Sequence, residues 1–220
     1  MPLGDRAGVL PLSVLAQCAA PLVLTREDGV PIFRNAAANE LFARVVASAR
    51  PFDLSTADWE EWSFARERVQ HLRRLARERA GAVFRDILAG EQMITHAMYI
   101  APGPGEELAR FLLLFQRTHG PCRASDFPGK SFVECSAQML GTLGALSARE
   151  LEVLALIGEG LTAAQIAARI FRSEETVNSH KASILKKLSC HNAAQLALVA
   201  NRAGLKYEDG QLFAGSRSRD

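Results

Sequence analysis

Between Glu174 and Leu188 the sequence EETVNSHKASILKKL sets small polar side chains beside apolar ones at helical spacing. Val177, Ile184 and Leu188 form the stripe that such a helix buries. Asn178, Ser179, Ala182 and Lys186 lie on another side, small and polar toward the N-terminal end. The chemistry available to these types is recognition. An amide pairs with adenine, a hydroxyl bonds to either kind of base edge, and small side chains let a backbone approach closely. Lys181, Lys186 and Lys187 supply charge for phosphate. A helix that enters the major groove needs this combination. A helical adaptor that merely carries surface lysines is the bland alternative.

The neighbouring residues supply what would position such a helix. Ser147 with Glu150 and Thr162 with Gln165 are capping boxes, in which each side chain satisfies the other residue's orphan amide. Ser173 caps the segment above, with Glu174 and Glu175 at the positive end of its dipole. Asn192 with Gln195 opens a fourth helix. The first helix is expected to bury Leu151, Leu154 and Ile157, the second Ile166, Ala167 and Ile170. From Ser147 to Lys206 there are eight Lys or Arg against five Asp or Glu, so the region is locally basic.

These motifs, LSARELEVL (146–154), GLTAAQIA (160–167) and TVNSHKASILKKL (176–188), make the segment similar to the LuxR/GerE-type helix-turn-helix of bacterial transcription regulators. The resemblance covers about 60 residues. It implies that Thr176, His180 and Lys187 hold the DNA backbone while Asn178, Ser179 and Ala182 face bases. Lys181, Ser183 and Lys186 complete the candidate DNA-binding set. It also implies a dimer surface on the fourth helix, through Leu196, Val199 and Ala200. Four positions depart from the pattern. Asn178 stands where a basic residue is usual, and Arg172 replaces an apolar residue of the turn. Ser189 replaces the glycine that usually ends the recognition helix, and Ala193 replaces a common arginine. They bear on which DNA sequence is read and, to a lesser degree, on affinity, not on the fold.

The first half reads as mixed α and β. Leu12 to Ala20 is expected as a helix closed by Pro21, followed by a strand at Leu22–Leu24. Asp28-Gly29 marks a tight turn, Val30–Phe33 a second strand, and Asn35 the cap of a helix with Leu41, Phe42, Val45 and Val46 on one face. From a cap at Ser55, Thr56 or Asp58, a helical pattern is expected to run through Gly90, with Trp59 and Trp62 near its start. Its arginines are interspersed with Glu67 and Glu78 and read as a solvated face. Met93–Ile100 and Arg110–Gln116 read as strands around the PGPGEE loop. This order, with the opening VLTREDGVPIFRNAAANELF, resembles the start of a PAS domain over roughly residues 20 to 118. The resemblance implies an antiparallel sheet with helices on one side, enclosing a small-molecule pocket or offering a dimer surface. The expected fold class is α+β, with the PAS-like sheet joined to an all-α four-helix DNA-binding domain. The expected divisions are 1–118, a linker at 119–145 with a connecting helix within Phe132–Leu143, 146–207, and a flexible tail at 208–220.

Composition narrows the function. Apolar residues make up 48% of 220, ample for buried cores, and the net charge of +2 leaves any basic character local. Cys18, Cys122, Cys135 and Cys190 show no C-x-x-C or metal spacing and read as reduced thiols. No cofactor is evident. His71 and His96 stand alone as haem candidates and read as ordinary packing residues. No apolar run approaches the roughly 20 residues of a membrane span, so a cytoplasmic protein is expected. No nucleophile–base pair or phosphate loop appears, and an acidic phosphoacceptor pocket is absent from the first strand, so neither catalysis nor phosphorelay control is expected. The reading is a transcription regulator with double-stranded DNA and a second copy as partners, and RNA polymerase as a further candidate. The rivals are a sigma-factor-like promoter reader, disfavoured by the hairpin at 22–33, a dimeric scaffold without DNA binding, and an acyl-homoserine-lactone-type sensor.

Overall fold

The computed structural model describes residues 12–48, 63–136 and 138–210. Trp59, Trp62 and the expected cap at 55–58 lie outside them, as does 211–220. The elements are α1 (Leu12–Ala16), β1 (Leu22–Arg26), β2 (Pro31–Arg34), α2 (Ala36–Ser48), α3 (Ser63–Glu78), β3 (Ala82–Leu88), β4 (Glu91–Ile100), β5 (Arg110–Arg117) and β6 (Phe132–Glu134), then α4 (Ala148–Gly158), α5 (Ala163–Ile170), α6 (Glu174–Lys187) and α7 (Ala193–Ala203). Among the described residues six strands form one sheet in the order β2-β1-β5-β4-β3-β6, with the β3–β6 strand pair alone parallel. The chain is therefore α+β, a sheet with helices followed by a helical C-terminal domain.

Asn35 ties the opening unit together. Its Oδ1 accepts from the Ala38 amide at 2.9 Å, capping α2, and from the Leu22 amide at 3.0 Å. Its Nδ2 donates to the Cys18 and Ala20 carbonyls, each at 2.8 Å. At Gly29 the hairpin turn takes φ +87°, which costs glycine nothing. Asp28 accepts from the Val30 amide across that turn.

Strand register sorts the sheet into two faces. Val23, Leu113, Ala97 and Ala82 are paired in turn across β1, β5, β4 and β3, so they share one face. Leu41, Phe42 and Val45 of α2 and Leu72 and Leu75 of α3 pack against it. This inner face is the main apolar core of the first domain. The outer face carries Arg85, Ile87 and Gln92, which meet the C-terminal domain, Gln92 at Gly204.

Four expectations are corrected. Arg68, expected on the solvated face of α3, is buried and paired with Asp86. The helical pattern thought to continue through Gly90 stops at Glu78, and residues 82–88 are a strand. The stop is a left-handed Arg79 at φ 51°, with the Ala80 amide bonded back to the Leu75 carbonyl, a helix ending normally marked by glycine. All seven β3 residues are buried, so no alternation signals the strand. The expected linker supplies β6, which pairs with β3 where a connecting helix was expected, because β3 would otherwise present an unpaired edge. The tail expected from 208 is anchored at its start: Asp209 is buried against Arg85.

Replacing Asn35 by alanine removes a cap and leaves the buried Leu22 amide without its side-chain acceptor. It is expected to cost about 2 kcal/mol, measured by urea unfolding.

Candidate nucleic-acid interface

All four helix starts of the C-terminal domain use their side chains as the sequence suggests. Ser147 Oγ accepts from the Glu150 amide and Glu150 Oε2 from the Ser147 amide. Thr162 and Gln165 repeat the arrangement, Ser173 Oγ accepts from the Thr176 amide, and Asn192 Oδ1 accepts from the Gln195 amide. Leu151, Leu154, Ile166, Ile170, Val177, Ile184 and Leu196 share one core beneath them.

That core turns α6 so that one face is closed and another open. Val177 and Ile184 are completely buried, while Asn178, Ser179, Ala182 and Lys186 are exposed. Thr176, His180 and Lys181 are half-buried along the margin. Ser179 Oγ is held by the Glu175 carbonyl at 3.0 Å, leaving its lone pairs outward. The open strip of amide, hydroxyl, methyl and ammonium groups can bond to base edges and phosphate. Arg172 is exposed in the turn, with Nη1 on the Phe171 carbonyl at 3.0 Å, which explains how the turn tolerates it.

Ser183 and Lys187 have a second engagement. Ser183 Oγ donates to Glu150 Oε1 at 2.6 Å and Lys187 Nζ lies 2.7 Å from Glu150 Oε2. The Glu150 side chain is only 5% exposed, yet it satisfies the α4 cap and grips α6 in mid-helix. Burial pushes its carboxyl up, but the hydrogen bonds from Lys187, Ser183 and Ser147 outweigh it and bring the pKa down to about 2. Sequence reading found Glu150 as a cap and missed its role in placing the recognition helix; the capping-box spacing carries no trace of that second role. It missed Arg149 too, whose Nη2 donates to the Ile170 carbonyl at 2.9 Å and so ties α4 to the end of α5.

The expected dimer residues require a correction. Leu196 is 2% and Ala200 1% exposed, both inside the domain core, and Val199 packs beside them. Leu196 and Ala200 belong to the inward stripe of α7 that closes the four-helix core, whereas Val199 is half-buried at its margin. The large exposed apolar residue of that helix is Leu198, at 49%.

Other candidate groups do not converge. His71 sits on α3 against Phe84, on the inner side, whereas His96 alternates with inward Ala97 and lies on the outer face. Burial, with Asp86 nearby, pushes the Cys135 thiol up, away from thiolate character. Among the described residues no cluster of His, Cys, Asp or Glu could hold a metal, and no helix is long and apolar enough to cross a membrane.

Two outcomes are expected. Because the Glu150 pKa is depressed in the folded state, its contribution is complete above the ordinary 4.5 and disappears as pH falls through about 2. The stability gap between the native protein and Glu150→Gln should therefore shrink across that window, followed by circular-dichroism melts. Ser189 ends α6 with φ 53°, and the Cys190 amide bonds to the Leu185 carbonyl. Ser189→Gly should raise the melting stability by about 1 kcal/mol.

Comparison with known proteins agrees with this geometry. Residues 144–200 match the family GerE, described as bacterial regulatory proteins, luxR family. The transcriptional activator protein SolR of Ralstonia nicotianae is 46% identical over 61 residues, 28% of this chain and 26% of SolR. The transcriptional regulatory protein LnrK of Bacillus subtilis is 38% identical over 60 residues, 27% of each chain. The chain thus spans well under half of the length of these relatives. A structure of the Vibrio cholerae VqmA–ligand–DNA complex pairs with 88% of this chain and 87% of its own at 18% identity and a TM-score of 0.38, too low to carry an argument about fold or site. The C-terminal segment is a LuxR-type helix-turn-helix domain.

Proposed function

We propose that the protein is a cytoplasmic transcription regulator that binds double-stranded DNA as a homodimer, with α6 in the major groove. The observation that carries this is the division of α6 into a locked face and an open one within a segment that matches the luxR family. Asn178, Ser179 and Ala182 face base edges, and Lys181, Lys186, Thr176 and His180 face the backbone. Lys187 also serves the backbone, with its charge shared with Glu150. The N-terminal α+β domain is a PAS-like sensory or dimerising unit, with α2 and α3 packed on the inner sheet face. With Leu196 and Ala200 buried, pairing of two copies falls to the N-terminal domain or to the Leu198 side of α7. RNA polymerase is a candidate further partner.

The test is fluorescence anisotropy on DNA selected by the protein from a random pool. Lys186→Ala is expected to weaken all sequences alike and to lower the slope of log affinity against log salt by about one. Asn178→Ala is expected to relax preference at one base pair by about 1–3 kcal/mol and to leave the salt slope unchanged. Equal losses on every sequence for both variants would refute the assignment of roles. Absence of DNA retention at low salt would support the scaffold reading.

A further inference from the structure

Strand β3 carries a buried ion pair on each face, at consecutive residues. On the inner face Asp86, fully buried, bonds through Oδ2 to Arg68 Nη2 and, at 3.0 Å, to Thr95 Oγ1. On the outer face Arg85, 1% exposed, reaches into the C-terminal domain. Its Nη2 donates to Asp209 Oδ2 at 2.6 Å and to the Gly204 carbonyl at 2.7 Å, its Nη1 to Asp209 Oδ1 at 3.3 Å, and its Nε to Gln92 Oε1 at 2.7 Å. Gln92 Nε2 in turn bonds to Thr118 Oγ1 and the Gly120 carbonyl. Asp209 accepts from the Lys206 amide at 2.8 Å, and the Gly120 amide bonds to the Asn201 carbonyl.

Such a pair is an expensive way to hold two domains. Both charges leave water, and a well-packed apolar contact would stabilise as well or better. Ile87, next but one along the strand, already provides an apolar contact, inside the core shared by α4 to α7. What the ion pair adds is direction: a planar guanidinium gripped on two edges permits one orientation of the residues beyond α7. The exposed strip of α6 takes no part in this docking, so the contact orients the recognition helix without covering it.

We propose that Arg85–Asp209 is a latch that sets the orientation of the DNA-binding domain on the sheet, and that β3 transmits changes at Arg68–Asp86 to it. Neighbouring strand residues point to opposite faces, so a shift of the backbone at Asp86 also displaces Arg85. A ligand or rearrangement at the inner pair then alters DNA-binding geometry without touching the helix-turn-helix. The latch itself stands on the contacts above; its consequence for DNA rests on the function proposed here.

Amide exchange of the full chain, followed by mass spectrometry, tests the latch without DNA. Arg85→Met with Asp209→Leu removes both charges and leaves the Gly204 carbonyl and Gln92 Oε1 without their Arg85 donors, so the apolar pair does not replace the grip. The double variant is expected to speed exchange over residues 201–210 about tenfold, with α5 and α6 still protected as in the native protein. Asp86→Asn, and the milder Thr95→Val, are expected to speed exchange in the same segment about threefold. Native protection at 201–210 in the double variant would overturn the latch. Effects of Asp86→Asn and Thr95→Val confined to residues 63–136 would overturn transmission through β3. On selected DNA, inserting about five base pairs between half-sites should weaken the native protein far more than the double variant. A native protein that retains no DNA would refute the proposed function while the exchange results still decide the latch.

Discussion

Everything in this protein is arranged around a strand with both faces covered. β3 is buried at all seven positions, by α2 and α3 on one side and by the C-terminal domain on the other. A strand in that position cannot expose an edge, hence the parallel β6 beside it, drawn from residues that would otherwise only connect domains. Charges on such a strand must be paired within the protein, and they are, Asp86 inward and Arg85 outward. The two domains are therefore joined through the interior as well as by the chain between them.

The helix-turn-helix depends on a comparable economy at Glu150. One carboxylate completes the cap of α4 and accepts from Ser183 and Lys187 on α6, so the first helix of the domain sets the placement of the third. Arg149, adjacent in sequence, fixes the end of α5 from the other side. With three helices tied together from two consecutive residues, the open strip of α6 is presented on a rigid support. Preorganisation of this kind lowers the ordering cost of binding.

Legibility in the sequence followed the range of the interaction concerned. The hairpin at Asp28-Gly29, the cap at Asn35 and all four caps of the C-terminal domain were readable, because each is decided within about four residues. So was the division of α6, a matter of helical period. Strand β3 was misread because Arg79, not glycine, ends α3, and because burial on both faces erases the alternation by which strands are recognised. Leu196 and Ala200 pointed toward a dimer surface only by resemblance; the apolar stripe of α7 has its partner inside the same domain.

The sequence by itself determined where the helices of the C-terminal domain begin, which face of α6 is apolar, and which side chains remain on its open face. These follow from local hydrogen bonding and periodicity, both written in residue order. Only the tertiary structure decided that Glu150 also holds α6, that β6 belongs to the sheet, and that Asp209 closes on Arg85, more than a hundred residues earlier. Those contacts arise where distant segments exclude water together, and nothing in the spacing of an isolated glutamate or aspartate records the partner it will meet.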